Sequence, residues 1–166
     1  MRETQLLVGD RDSAIVRDER PDAAEAELAA GDRMPDAGQL RRPFVRRAIR
    51  LHERLGRGRH ALVGFVGNDS AAADTLAEML GLLRQLLGEG AVGFAITQQG
   101  STLSARDDLP VLADAEGEFA AACLAEPGMA WLVRPDGYID WCSATPSIEG
   151  LQAFLETIIK NASIEA

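Results

Sequence analysis

The sequence predicts an α/β domain in which a central mixed sheet combines a βαβ unit with a β-hairpin and a closing helix. Three observations predict it. Residues 60–66 (HALVGFV) and 91–97 (AVGFAIT) are continuous apolar runs of the length expected of buried parallel strands. An amphipathic stretch separates them, as a parallel crossover requires. The turn sequence Pro135-Asp136-Gly137 separates two further apolar segments, which favours an antiparallel hairpin.

The amphipathic stretch has the signals of a helix that covers one face of the sheet. Asn68, Asp69 or Ser70 can cap its first turn, and Gly88 can end it. Apolar residues recur every three or four positions, so they share one side of the helix. They are Leu76, Met79, Leu80, Leu83, Leu86 and Leu87.

A shorter helix is expected between the βαβ unit and the hairpin. Residues 109–112 lead into residues 114–124, where the inner face of the helix would consist of Phe119, Cys123 and Leu124. The sequence contains no internal repeat.

The hairpin and the last helix complete the predicted body. Residues 130–134 and 138–142 are the two hairpin strands. Thr145 is the expected N-cap of the last helix and Pro146 its first residue. One apolar stripe follows, at Ile148, Leu151, Phe154, Leu155, Ile158 and Ile159. The order βαβ, helix, hairpin and helix is that of the thioredoxin fold, with two parallel strands extended by an antiparallel pair.

An irregular lead-in is expected before the compact body. Residues 6–8 and 14–16 have the composition of two short strands separated by a turn. Residues 19–38 are acidic, rich in alanine and interrupted by proline and glycine, which is typical of a linker or an extended arm. We therefore divide the chain into an arm, residues 1–42, and a thioredoxin-like domain, residues 43–166.

Two interpretations remain open where the body begins. Phe44, Val45 and Ile49 favour a strand. The other interpretation is a helix with its apolar residues at Phe44, Ala48, Leu51 and Leu55.

Composition limits the classes of function. The 166 residues are 46% apolar and 26% charged, which is typical of one globular domain. No apolar run has the roughly 20 residues that cross a bilayer, and residues 1–4 precede no hydrophobic signal region, so a cytoplasmic protein is expected. The net charge of −9 disfavours nucleic acid as a partner.

The charge is unevenly distributed. Residues 41–59 contain eight arginines and one acid, Glu53, so this segment carries +7 and the remainder of the chain −16. Three interpretations are open: a solvated face, contact with an acidic region of this or a partner chain, and an anionic ligand. In a self-associating domain, Phe44, Val45 and Ile49 would supply most of the interface energy.

A thioredoxin-type enzyme needs a cysteine at the N-terminus of the first helix, where the helix dipole lowers the thiol pKa. Residues 67–70 (GNDS) occupy that place. The fold normally has a cis-proline before the first hairpin strand, but Met129 and Ala130 are there and Pro127 is too early. Residues 64–68 also lack both nucleotide-loop patterns, GxGxxG and GxxxxGK[ST].

The remaining chemical side chains do not form a convincing site. Cys123 and Cys142 are separated by 18 residues, so they match no CxxC motif and are expected to be reduced, buried core residues. His52 and His60 have no ligand cluster around them. Three acids, Asp107, Asp108 and Asp114, are interpreted as solvated loop residues. We assign no catalytic, cofactor-binding or metal-binding residue.

Several strings identify a family resemblance. They are residues 13–16 (SAIV), residues 31–36 (GDRMPD) with Leu40, residues 55–58 (LGRG) and residues 132–141 (LVRPDGYIDW). Together they resemble the C-terminal domain of phenol-hydroxylase-like, FAD-dependent aromatic-ring monooxygenases. The last string is the most specific of them.

The resemblance extends from residue 13 to residue 159 and implies a thioredoxin-like domain without redox cysteines that takes part in dimerisation. FAD and the aromatic substrate bind to preceding domains in that family, so no cofactor is expected in this chain. Two features depart from the family pattern. The glycine fingerprint of the FAD domain is missing, and Cys142 stands where an arginine commonly follows the tryptophan.

The function expected from these observations is a non-catalytic structural or association module, as a homodimer or as the partner of an FAD domain. The module would be either the C-terminal part of an aromatic-ring flavin monooxygenase that acts in aromatic-compound degradation or a stand-alone relative of that part. Two alternatives remain: a stand-alone thioredoxin-fold protein with residual thiol oxidoreductase activity at Cys123 or Cys142, and a small-molecule-binding module that uses the apolar sheet edge.

Overall fold

A computed structural model describes residues 11, 13 and 15–165, with side chains described as far as residue 160. The strands are β1 (Arg17–Asp18), β2 (Leu40–Arg41), β3 (Ala48–Ile49), β4 (His60–Gly67), β5 (Ala91–Thr97), β6 (Val111–Asp114), β7 (Ala130–Val133) and β8 (Ile139–Ser143). The α-helices are α1 (Ser70–Leu87), α2 (Glu118–Ala122) and α3 (Ile148–Glu165). Short 3₁₀ helices occur at Ala23–Glu25, Leu51–Glu53 and Gly88–Gly90.

All eight strands belong to one mixed sheet of order β1-β8-β7-β4-β5-β6-β2-β3. The predicted βαβ unit is confirmed, since β4 and β5 are parallel and α1 joins them. The predicted hairpin is confirmed as the antiparallel pair β7 and β8. Strand β6 adds a third parallel strand beside β5, in a segment that we had expected only to lead into a helix. The predicted thioredoxin-like α/β fold is thus confirmed.

Helix α1 packs closely against the sheet because two strand residues are glycines. Asp69 caps the helix through a hydrogen bond from the Ala71 amide. A Cβ added at Gly64 would lie 2.5 Å from Leu76 Cδ2, and one at Gly93 would lie 2.9 Å from Leu80 Cδ1. Side chains at these two positions would push the helix away from the sheet.

The sheet has a hydrophobic core on each face. Helices α1 and α3 cover one face, with Leu76, Leu83, Leu151 and Phe154 among the buried residues. Helix α2 and the chain before β4 cover the other face. None of the helices in the described part of the chain is long and apolar enough to span a bilayer.

The expectation that residues 19–38 lack burial is wrong. Leu28, Ala30, Met34 and Ala37 are buried in the second core, with Leu40 directly after them. The segment is extended, as expected, but it lies along the sheet instead of outside it. Apolar periodicity did not reveal this because an irregular chain has no repeating face.

Four local predictions also need correction. Phe44 belongs to neither the predicted strand nor a helix, since it lies fully exposed in the turn between β2 and β3. Helix α3 begins after Ser147, whose hydroxyl accepts the Gly150 amide, and not at Thr145. Leu124 is half exposed rather than part of the inner face of α2.

The fourth correction concerns the lead-in. Residues 15 and 16 are outside any strand, and β1 begins one residue later, at Arg17. The predicted strand at residues 6–8, like residue 14, lies outside the described residues.

Candidate functional site

The position of a thioredoxin active site is occupied here by a polar cap. Asn68 and Asp69 link β4 to α1, as predicted from the sequence. The Asn68 side-chain oxygen accepts hydrogen bonds from Ser101 Oγ at 2.8 Å and from the Thr102 amide at 3.0 Å. The loop after β5 is therefore bound over the helix N-terminus. The described residues contain no cis peptide bond, and Met129 and Ala130 join the hairpin in trans.

Both cysteines are buried, as predicted. Cys123 is 1% exposed and Cys142 is 0% exposed. Burial, with a smaller contribution from Asp114, raises the pKa of the Cys123 thiol to about 12. Burial, together with Asp18, raises the pKa of the Cys142 thiol to about 12. Neither group has the depressed pKa of a reactive thiol.

Native protein is expected to resist thiol-directed reagents. At pH 8 a free cysteine is partly ionised, whereas a thiol with a pKa of about 12 has a thiolate fraction lower by roughly three orders of magnitude. We expect labelling by an aromatic disulfide at least about a hundredfold slower than after denaturation. The protein should also fail to reduce insulin. Fast native labelling that is lost in Cys123→Ser or Cys142→Ser would instead support residual thiol activity.

The histidines and acids are dispersed over the fold. His52 Nε2 is 2.8 Å from the Met34 carbonyl oxygen, and His60 is half-buried, 3.9 Å from Asp140 Oδ2. Asp107 and Asp108 are exposed, as expected, but the prediction for Asp114 is wrong. Within the described chain, no three metal-ligating side chains come together.

Asp114 is a buried cap. Its carboxylate accepts the amides of Phe119 and Ala120, both at 3.0 Å, and it is only 1% exposed. Asp114, the last residue of β6, therefore caps the first turn of α2. The sequence did not reveal this role, because Asp114 lies four residues before α2 and a capping side chain is expected directly before a helix.

The two most distinctive sequence strings bind each other. The Gly31 amide donates to the Ile139 carbonyl at 2.7 Å, and the Ile139 amide donates to Asp32 at 2.8 Å. Two residues further along, the Met34 amide donates to Gly137 at 2.8 Å. GDRMPD is thus held against the hairpin turn of LVRPDGYIDW. Backbone hydrogen bonds therefore join the two strings in the fold.

Among the described residues, the arm and the arginine-rich segment 41–59 are joined by one ion pair. Asp36 pairs with Arg50 at 2.7 Å and also accepts the His52 amide. These contacts hold the pKa of Asp36 below its ordinary value, although its partial burial acts in the opposite direction. Contact of residues 41–59 with an acidic region of this chain, one of the three interpretations of that segment, is therefore present at this point.

The other arginines of residues 41–59 have no carboxylate within 4 Å in the described structure. Asp22, Glu25 and Glu27, three exposed acids of the arm, follow β1 at one edge of the sheet. The arginines surround β3 at the opposite edge. We call residues 42–47 the basic turn and residues 22–27 the acidic turn.

The basic turn presents an aromatic side chain to solvent. Phe44 has a backbone φ of 63°, in the left-handed region that disfavours bulky residues. Its side chain is fully exposed, and neighbouring Val45 is about half exposed. Behind the turn lies a cavity of about 570 Å³, between the turn, β5 and β6.

Comparisons with known proteins agree with the sequence strings. A family model described as "Aromatic-ring hydroxylase, C-terminal" matches residues 27–162, which include the bonded strings GDRMPD and LVRPDGYIDW. The chain belongs to this family. An FAD-dependent monooxygenase, ankC of Aspergillus thermomutatus, is 36% identical over 55 residues, which are 33% of this chain and 9% of that protein. The segment that this chain matches is thus a small part of that relative.

Solved structures similar to the aromatic-ring hydroxylase C-terminal domain support the fold. The flavin-dependent monooxygenase PieE, in complex with FAD and substrate, has a TM-score of 0.55 at 24% identity, over 87% of this chain and 24% of that one. Aklavinone-11 hydroxylase, with FAD and aklavinone, has a TM-score of 0.56 at 18% identity, over 89% of this chain and 25% of that one. The thioredoxin domain of a Bacteroides vulgatus thiol-disulfide oxidoreductase has a TM-score of 0.57 at 14% identity, over 80% of this chain and 99% of that one.

Proposed function

We propose that this domain is a non-catalytic association module of a flavin-dependent aromatic-ring monooxygenase, with no redox cysteine of its own. Family membership and the FAD-dependent relatives support this proposal. FAD and the aromatic substrate would bind to other parts of such an enzyme, which would act in the cytoplasm in aromatic-compound breakdown. The domain itself would contribute a contact that assembles the enzyme.

The exposed aromatic of the basic turn is the observation that carries the proposal. A phenylalanine at positive φ destabilises the fold. Because Phe44 is fully exposed, no burial of its side chain offsets this cost. Burial of the Phe44 side chain against a partner would offset this cost. Phe44 and Val45 together offer an apolar contact surrounded by Arg42, Arg46 and Arg47.

The partner surface must be acidic, because two basic turns facing each other would repel. The acidic turn lies at the opposite edge of the sheet and has exposed carboxylates. In a two-fold homodimer, each basic turn can contact the acidic turn of the other copy, so both charged surfaces meet the opposite charge. An acidic face of the flavin domain is the alternative partner.

Sedimentation of the Phe44→Asp variant tests the association. We expect wild-type protein to dimerise at micromolar concentration and the variant to dissociate about ten- to a hundredfold more readily, since burial of Phe44 is lost. Asp is well tolerated at positive φ and Phe44 is exposed, so the variant should keep its fold. High salt should weaken the dimer modestly.

Leu86→Asp is the matched control, because Leu86 is about half exposed on α1 and outside the basic turn. Equal dissociation of both variants would show a general effect of added charge. A wild-type monomer at every concentration would reject the homodimer, and titration with the flavin domain would then test the alternative partner.

A further inference from the structure

The cavity behind the basic turn has an unusual lining. Fourteen residues line it, of which four are arginines and none is acidic. Val92, Phe94 and Leu112 form an apolar floor from β5 and β6. Its volume of about 570 Å³ is within the range of small-molecule sites. A ligand that fits would have an apolar body and an anionic group.

The four arginines that line the cavity differ in their pairing with carboxylates. Arg106 binds Asp74 and Asp108, so its charge is balanced. Arg42, Arg54 and Arg59 have no carboxylate within 4 Å in the part of the chain that the structure describes. These three arginines line a cavity whose floor offers no counter-charge.

Arg54 shows the electrostatic consequence of this arrangement. Its side chain is half-buried, and burial lowers its pKa. Arg42, Arg57 and Arg47 lower the pKa further by repulsion, and Glu53 offsets only part of this. A positive cluster in a chain of net charge −9 is a local feature, not a general basic surface. An anion placed among these arginines would relieve the repulsion.

We propose that this cavity binds an organic anion, with its carboxylate or phosphate on Arg54, Arg59 and Arg42 and its apolar body over Val92, Phe94 and Leu112. Arginine presents planar donors that match both kinds of anion. The site shares Arg42, Phe44 and Val45 with the basic turn, and its whole lining comes from one copy of the chain.

Calorimetric titration with matched probes tests the site. The probes are 2-naphthoate, 2-naphthyl phosphate, neutral 2-naphthylmethanol and inorganic phosphate. We expect both naphthyl anions to bind at least tenfold more tightly than the neutral alcohol or inorganic phosphate. Tighter binding of 2-naphthoate would indicate a carboxylate ligand, and tighter binding of 2-naphthyl phosphate would indicate a phosphate ligand. Equal binding of anion and alcohol, or of naphthyl phosphate and phosphate alone, overturns the proposal.

Variants locate the binding. Arg54→Gln and Arg59→Gln should each weaken naphthyl-anion binding about tenfold, whereas Arg33→Gln, an exposed control outside the cavity lining, should change it less than twofold. Arg54→Gln should also melt no lower than wild type, because it removes a repelled charge. Unchanged sedimentation of Arg54→Gln separates this site from the association surface. If no probe binds and Arg54→Gln weakens association instead, the cavity is part of a protein interface and the anion site is rejected.

Discussion

Replacing Met34 by alanine is expected to destabilise the fold by about 2–5 kcal/mol, the range for a buried methionine truncated in a packed core. Met34 is 0% exposed and lies in the core between the sheet and the arm. Its amide and carbonyl are bonded to Gly137 and His52, so the backbone cannot easily move to fill the space. Urea unfolding followed by tryptophan fluorescence measures the effect.

Arg33→Ala is the matched control, because Arg33 is the preceding residue and its side chain is exposed. We expect a change of less than about 0.5 kcal/mol there. If Met34→Ala cost as little as the control, residues 1–42 would be a detachable lead-in, as the sequence-based division at residue 43 implies. A large loss would make the arm part of the folding unit.

The elements predicted correctly are those with a long, regular pattern. Strands β4 and β5 are continuous apolar runs, and α1 has a clear apolar face with a cap at Asp69. Each pattern reflects burial of an element several residues long, so the sequence alone is sufficient to locate it. The hairpin was equally clear because its turn residues are restricted in φ.

The elements that were missed are held by contacts distant in sequence. Strands β1, β2 and β3 have two residues each, too few for any alternation to show. Leu40 in β2 pairs with Asp114 in β6, and Gly38 donates to the Glu118 carboxylate at 3.0 Å. Composition made the arm look like a linker, because its order comes from these partners and not from its own pattern.

The candidate surface was anticipated in part. The excess of arginine over residues 41–59 was visible in the sequence, and an anionic ligand was one of its three interpretations. The sequence could not show that Phe44 is exposed, since an aromatic residue beside Val45 is ordinarily a sign of burial. Only the fold shows that β5 and β6 form a floor behind these arginines.

Replacing Asp114 by alanine is expected to cost about 2–4 kcal/mol of unfolding free energy, because the amides of Phe119 and Ala120 would both lose their acceptor. One of these amides belongs to Phe119, whose ring packs 5.7 Å from the rings of Phe65 and Trp131. A shift of α2 would therefore disturb the core as well as the cap. Near-ultraviolet circular dichroism and urea unfolding report the two effects separately.

Two variants determine whether the cap itself is the cause. Asp114→Asn keeps one acceptor oxygen, so its loss should be intermediate between wild type and Asp114→Ala. Asp107→Ala removes an exposed acid from the preceding loop and should change stability by less than about 0.5 kcal/mol. If Asp114→Ala and Asp107→Ala lowered the unfolding free energy equally, Asp114 would be an ordinary solvated acid, as is expected from the sequence. A graded series, with Asp107→Ala near zero, would establish that a carboxylate four residues ahead of α2 begins that helix.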